Sequence, residues 1–362
     1  MSLSPSTGSI LAASVISRTK LIWFFVVYTF FILSGSTAAS SEPQSVISQA
    51  LAQGVNSDQQ HSEQSEFGAS NPLDPVLAGY QSQAERGDYE HAGKNTLTYL
   101  SAHPDSAEAH FLLGYISYRE NRPDDSLAQY TLGAKLRKPE ANDLAVVAMD
   151  YILLKDYFDA DKWLSVATAW QPENALYWYY LGRTKYSENS FQAAVDIFNK
   201  CLVMHPRDVR TEYNLGLAYS GLGRDNDAIA AYEKAIEWQH EDIRKDPQPY
   251  LDLGILMLAK DHPDKAVGYL QQAVEFDSLN PKAHEQLGRS YEELHDFAEA
   301  ESEFAKAESL APNVPALHFE LGRIYKKEGQ MAKATEEFAA YADLNAAHST
   351  DAAETPNPDH RQ

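Results

Sequence analysis

The clearest pattern along the chain is a Leu-Gly pair that returns on a fixed ruler. It occurs at Leu113-Gly114, Leu181-Gly182, Leu215-Gly216, Leu253-Gly254, Leu287-Gly288 and Leu321-Gly322. Successive glycines are separated by 68, 34, 38, 34 and 34 residues, and Val147-Ala148 fills the slot midway through the first interval. Twelve residues after each small residue comes another: Ser126, Ala160, Ala194, Ala228, Ala266, Ala300 and Ala334. Four further on stands a large one: Tyr130, Leu164, Phe198, Tyr232, Leu270, Phe304 and Phe338. A period of this length marks a repeat architecture. Each unit reads as two helices joined by a turn, as at Leu222-Gly223-Arg224 and Glu328-Gly329-Gln330. Small residues at the eighth and twentieth positions let the two helices approach, and large ones at the seventh, eleventh and twenty-fourth are expected to fill the space between pairs. Proline at the thirty-second position, as in Pro172, Pro206 and Pro312, stops the second helix.

These residues resemble the tetratricopeptide repeat (TPR) family, whose pattern is W-x2-L-G-x2-Y, then A-x3-F, then P. Residues 175–208 carry Trp178, Leu181, Gly182, Ala194, Phe198 and Pro206, with Lys185 in place of the Tyr. Residues 281–314 carry Leu287, Gly288, Tyr291, Ala300, Phe304 and Pro312. The register places repeats at 73–106, 107–140, 141–174, 175–208, 209–242, 247–280, 281–314 and 315–348, the first of them degenerate. The resemblance implies an all-α fold, a right-handed superhelical solenoid of about eight stacked helix pairs. No pair can bury its apolar face alone, so stacking makes the core. The four extra residues Ile243–Asp246 are expected to lengthen the fifth repeat's second helix and loop. The third repeat departs from an amphipathic pattern. Leu144–Leu154 reads LAVVAMDYILL, apolar nearly all round, so it is either covered by a neighbour such as the first repeat or the preceding tether, or it presents an apolar patch.

Outside the repeats the character changes. Arg18 and Lys20 precede Leu21–Leu33, a run of apolar and aromatic residues followed by small ones to Ala39. That is the layout of a signal peptide. Because no charge falls between Leu21 and Ser41, a retained membrane anchor is the rival reading of residues 1–39. Either way the positive residues stay inside and the repeats are expected outside the cytoplasm, periplasmic, secreted or anchored, with membrane contact only through residues 21–41 if these are kept. Ser36 stands where a lipid-bearing Cys would be needed, so lipidation there is excluded. Residues 40–72 are rich in Ser, Gln and Glu and read as a disordered tether, with one short helix allowed at Ser45–Leu51; residues 349–362 read as a disordered polar tail.

Charge and chemistry narrow the function. Against 30 Lys and Arg the chain sets 52 Asp and Glu, a net charge of −22, which argues against a nucleic-acid partner. A single cysteine, Cys201, excludes an internal disulfide and reads as an inert core thiol. There is no H-E-x-x-H, no G-x-x-x-x-G-K and no G-x-G-x-x-G, so no metal, nucleotide or other cofactor is expected. His110, His284 and His318 share the fourth repeat position, where the family often has Trp, and read as packing residues. The remaining expectation is a non-catalytic scaffold that binds a protein or peptide, the alternative being a membrane-anchored assembly factor of an envelope complex.

The resemblance also implies a site. In the family, positions two, five, six, nine, twelve and thirteen of each first helix line a concave groove. Carried over, they give Phe111, Tyr115, Tyr118, Met149, Ile152, Tyr179, Tyr180 and Tyr186; then Arg183, Arg210, Tyr213 and Asn214; and, in the last two repeats, Arg289, Arg323, Lys326 and Lys327. Tyr, Arg and Asn suit recognition because they offer area, forked donors and backbone-like amides. The alternative is a mixed surface in which the arginines neutralise neighbouring carboxylates. Of the residues with which chaperone-binding members clamp a C-terminal carboxylate, only Asn214 is present, and Tyr179 and Asp252 stand where that set is basic.

Overall fold

The structure, a computed structural model, describes residues 74–240 and 245–354, with side chains to residue 347. Residues 1–73, 241–244 and 355–362 lie outside the described part, and with them the expected signal or anchor and the tether. Among the described residues there are helices and no strand. In chain order they are α1 (Pro75–Glu85), α2 (Tyr89–Ala102), α3 (Ala107–Arg119), α4 (Pro123–Leu136), α5 (Ala141–Leu153), α6 (Tyr157–Trp170), α7 (Ala175–Ser187) and α8 (Phe191–Met204). They continue as α9 (Val209–Gly221), α10 (Asp225–Trp238), α11 (Gln248–Ala259), α12 (Pro263–Phe276), α13 (Pro281–Glu293), α14 (Phe297–Leu310), α15 (Pro315–Lys327) and α16 (Met331–Glu354). Consecutive helices pack on one another, pair upon pair, into a solenoid.

The turn inside each pair is the same object eight times over. One residue takes a positive φ: Gly87, Asn121, Lys155, Asn189, Gly223, Asp261, His295 and Gly329, with φ from 58° to 85°. The next residue's N–H reaches back five residues, as in Arg122 N to Ser117 O at 2.9 Å and Asp156 N to Tyr151 O at 2.8 Å. This is the Schellman closure, which satisfies the carbonyls a helix end would otherwise leave bare.

Close approach within a pair is set by the small residues. A Cβ on Gly216 would lie 2.5 Å from the Tyr232 ring, one on Gly182 2.5 Å from Phe198, and one on Gly254 2.5 Å from Leu270. The twenty-fourth side chain therefore lies over the eighth residue of its own repeat. It fills the space inside a pair, and not only the space between pairs. The twentieth residues from Ser126 to Ala334 are buried.

Two expectations are corrected. The fifth repeat's second helix is not lengthened: α10 is 14 residues, as are α8 and α12, and it ends at Trp238. Gln239 organises the described part of the loop that follows, with its side chain accepting from Asp246 N at 2.8 Å and donating to Asp246 O at 3.1 Å. The last helix runs to Glu354, so residues 349–354 of the expected tail are helical. The apolar α5 is covered by its neighbours α3, α4 and α6, so of the two readings of this stretch the covered one holds. Leu144 to Tyr151 are all buried there.

Candidate protein-interaction groove

The first helices of the pairs carry the predicted groove residues, and these divide into two electrostatic regimes. In the fourth and fifth repeats, Tyr179 is the centre. It stands on α7, nearly buried, with its ring 5.4 Å from that of Tyr180 and 6.4 Å from that of Phe198. The Arg183 guanidinium lies 6.0 Å from the Tyr179 ring centroid and that of Arg210 lies 5.3 Å from it. Both arginines are exposed. Burial raises the Tyr179 hydroxyl's pKa, and the two arginines work against that rise. Asn214 on α9 donates to Arg210 O at 2.8 Å and reaches the Tyr179 hydroxyl at 3.4 Å, so its amide nitrogen is engaged within the chain.

Among the described residues Arg210 has only a loose ion pair, Nε to Asp208 Oδ1 at 3.7 Å. Arg183 has no ion pair among the described residues. Tyr213 faces the other way: its hydroxyl donates to Asp252 Oδ2 at 2.6 Å, and its pKa rises through burial and the Asp252 charge. Asp252 itself is raised by burial, with the Tyr213 bond opposing. Tyr115 accepts from Arg119 at 2.6 Å. Tyr118 is half-buried, its pKa raised by desolvation, then by Tyr180 and Asp150 nearby.

The last two repeats are different. Arg289 is held by Glu285 at 2.8 Å and Glu320 at 3.3 Å. Arg323 is held by Glu320 at 2.5 Å and Glu292 at 2.6 Å, and Lys327 by Glu292 at 2.7 Å. Glu292 and Glu320 are buried. These bases form a lattice with carboxylates from adjacent first helices, which is the mixed surface the sequence left open as an alternative. Glu285, Glu292, Glu320 and Asp252 were missed as partners. Yet they occupy the same fifth, sixth and twelfth positions, so reading every charge there, and not only the bases, finds them.

Other chemistry is quiet. Cys201 is buried, its thiol 3.4 Å from Ala175 O and 3.5 Å from Thr211 Oγ1, with its pKa raised first by burial. The fourth-position side chains act as donors: Trp178 to Pro172 O at 2.9 Å, with the Nε2 atoms of His110, His284 and His318 at 3.2, 3.1 and 2.9 Å from Pro104 O, Ser278 O and Pro312 O. Among the described residues no group of His, Cys, Asp and Glu could hold a metal ion, and no helix is long and apolar enough to cross a membrane.

The described residues form a stack of helix pairs, the architecture of a helical repeat protein. Models of the tetratricopeptide repeat match residues 81–141, 210–242, 251–315 and 285–352, and the chain belongs to that family. Tetratricopeptide repeat protein 37 of Xenopus laevis is similar, 25% identical over 333 residues, covering 78% of this chain and 19% of that protein. BBSome complex member BBS4 of Xenopus tropicalis is 27% identical over 116 residues, covering 32% of this chain and 22% of that one. The chain thus spans about a fifth of the length of these curated relatives. Among solved structures, a tetratricopeptide repeat protein from Parabacteroides merdae has the same fold, with a TM-score of 0.54 and 16% identity over 69% of this chain and 97% of that one. Its repeats make this chain a protein–protein interaction scaffold, a fold that is typically non-catalytic.

Proposed function

We propose that the first-helix groove over the fourth and fifth repeats binds an extended, acidic segment of a partner protein. The observation that carries this reading is the Tyr179 ring with two exposed guanidiniums, Arg183 and Arg210, beside it. A guanidinium near an aromatic face is positioned in advance, and neither arginine has a close carboxylate partner, so an incoming carboxylate finds both ready. Tyr180 offers apolar area alongside, and the carbonyl of Asn214 offers an acceptor for a peptide N–H. Arg289, Arg323 and Lys327 of the last two repeats are already satisfied by Glu285, Glu292 and Glu320, which favours the middle of the solenoid as the place where the ligand's charge is read.

The test is the triple change Arg183→Glu, Arg210→Glu and Asn214→Ala in a chain shown by circular dichroism to stay helical. Capture of partners should fail, and wild-type capture should weaken as salt rises, because exposed charges are screened. Unchanged capture by the triple variant would remove the groove from consideration. The reading includes a location outside the cytoplasm, supported by Arg18 and Lys20 ahead of the Leu21–Leu33 run. Protease added outside an intact inner membrane should digest the repeats, and the N-terminal mass of the mature chain separates cleavage from anchoring.

A further inference from the structure

The fifth repeat breaks a rule that four other repeats keep. At the fourth position, Trp178, His110, His284 and His318 each send a ring nitrogen to the carbonyl six residues upstream. In the three histidine repeats the ring's other nitrogen meets a side chain nineteen residues on: Gln129 at 2.8 Å, Glu303 at 2.6 Å and Glu337 at 2.7 Å. The fifth repeat has Glu212 at the fourth position and Ala231 nineteen residues later. A ring has been exchanged for a carboxylate, and its partner has been cut back to a methyl group.

A cleft of about 390 Å³ opens there, between α8, α9 and α10. Leu202, Pro206, Leu215, Tyr219, Ala231 and Trp238 line it, with Glu212 among them. Pro206 is the residue six upstream of Glu212, and its repeat-mates offer the carbonyl that the rings take elsewhere. An ionised carboxylate has no proton to give such a carbonyl. Glu212 is 2% exposed, which is costly for a carboxylate unless it is well paired. Among the described residues its one ion pair is to Lys234 Nζ at 3.4 Å, and that lysine side chain is 57% exposed. A good charge-assisted bond is shorter, roughly 2.7–2.9 Å. The other charges on the rim are Asp227, already bonded to Arg224 at 2.8 Å, and Arg207.

We propose that this cleft is a docking pocket for an arginine side chain of a basic partner protein, which supplies from outside the planar donor that the chain supplies for itself in the second, fourth, seventh and eighth repeats. A guanidinium is flat like the missing ring. Its fork matches the Glu212 carboxylate, its remaining N–H groups face the Pro206 end of the cleft, and its faces suit Tyr219 and Trp238. An ammonium is compact and gives up its hydration less readily, so it fits the slot less well. The chain's net charge of −22 draws basic partners towards it. The cleft shares Pro206 and Arg207 with the hollow beside Tyr179 and Arg210, so it adjoins the groove and is opposite in the charge it selects.

The experiment is a titration of the full chain, labelled with ¹⁵N, with argininamide and with its neutral isostere citrullinamide. Argininamide should move the amide signals of Ala231 and Lys234 and the indole signal of Trp238, and citrullinamide should leave them in place. Glu212→Gln should weaken argininamide about tenfold or more, and Lys234→Ala should tighten it severalfold by removing the competing cation. Glu212→Trp, which restores the ring, should abolish the response. Arg183→Glu, a groove change that touches none of the residues lining the cleft, should respond much like the wild type. The proposal is overturned by an equal response to citrullinamide or to lysinamide, by unchanged affinity in Glu212→Gln, by weaker binding in Lys234→Ala, or by no shift at all.

Discussion

Asp150 shows how one side chain can set the pH response of a region. It is fully buried on α5, accepts a 2.6 Å bond from Ser126 Oγ at one oxygen and has no partner at the other. Burial, helped by the Asp124 charge and opposed by the Ser126 bond, pushes its pKa from 3.8 to about 8. Asp143, on the same helix, is pushed to about 6, mainly by burial. A carboxyl whose folded pKa lies above its unfolded value contributes most when protonated. That contribution is complete below about pH 4 and is lost as pH rises through 8. The difference for Asp150 corresponds to on the order of 5 kcal/mol. Hydrogen exchange of α5 should therefore accelerate between about pH 4 and 8 beyond its intrinsic pH dependence, and Asp150→Asn should flatten the excess. An unchanged profile in that variant would show that Asp150 is not the titrating group.

Glycines give a second test at the same scale, because not all of them are alike. A Cβ added at Gly216 would meet the Tyr232 ring at 2.5 Å, whereas one added at Gly268, inside α12, would meet nothing within 4 Å. Gly268→Ala should stabilise by about 0.5–1 kcal/mol, since a helix interior prefers Ala. Gly216→Leu should destabilise by about 1–3 kcal/mol or more, because the overpacked ring cannot move freely. Chemical denaturation of the two variants checks the opposite signs.

At the scale of the helix pair, much of the architecture was legible and the turn was only partly so. The eighth, twentieth and twenty-fourth positions announced the pair because volume constraints there admit few residues. The left-handed turn residue did not announce itself. It is Gly at 87, 223 and 329, but Asn at 121 and 189, Lys at 155, Asp at 261 and His at 295. Five of these eight residues carry side chains that hide the backbone requirement, because the surrounding hydrogen bonds impose it. Lys155 and His295 sit in that region with neither glycine's freedom nor the local hydrogen bonding that helps Asn and Asp. Lys155→Gly and His295→Gly should each stabilise by about 0.5–1 kcal/mol, read as a higher melting temperature of the affected repeats. The groove was legible as a list of positions but not as an electrostatic surface. Sequence phase brought Tyr179, Arg183, Arg210 and Asn214 together, yet it could not show that Tyr213 is bonded to Asp252 or that Arg289 and Arg323 are neutralised. Those outcomes depend on the superhelical step between neighbouring first helices, which no single repeat encodes.

On the scale of the whole solenoid, stability is local, and Phe304 makes that testable. Its side chain is fully buried and lies over Gly288 of its own repeat. It shares one cluster with Leu321, Ile324 and Ala334 of the last repeat, with Phe338 packed against it. Phe304 therefore joins the seventh and eighth repeats, while the buried residues around Leu77, Ala109 and Ile116 form a separate cluster at the other end. Phe304→Ala should cost about 3–5 kcal/mol where it acts. Because a solenoid's stability is a sum of repeat and nearest-neighbour terms, that loss should not spread evenly. Hydrogen exchange should show α15 and α16 losing protection first, α13 and α14 next, and α3 to α6 unchanged. His318 adds a pH signature to the same end of the molecule. Burial disfavours its charge, but the Pro312 carbonyl and the Glu337 carboxylate outweigh that and raise its pKa above 6.5. A raised histidine contributes below its unfolded pKa and loses that contribution as pH climbs through the folded value. Fraying of α15 and α16 in Phe304→Ala should thus be worse at pH 8 than at pH 6, and His318→Gln should remove the difference. Uniform loss of protection across all repeats would mean that the molecule unfolds as one cooperative block, contrary to a nearest-neighbour solenoid.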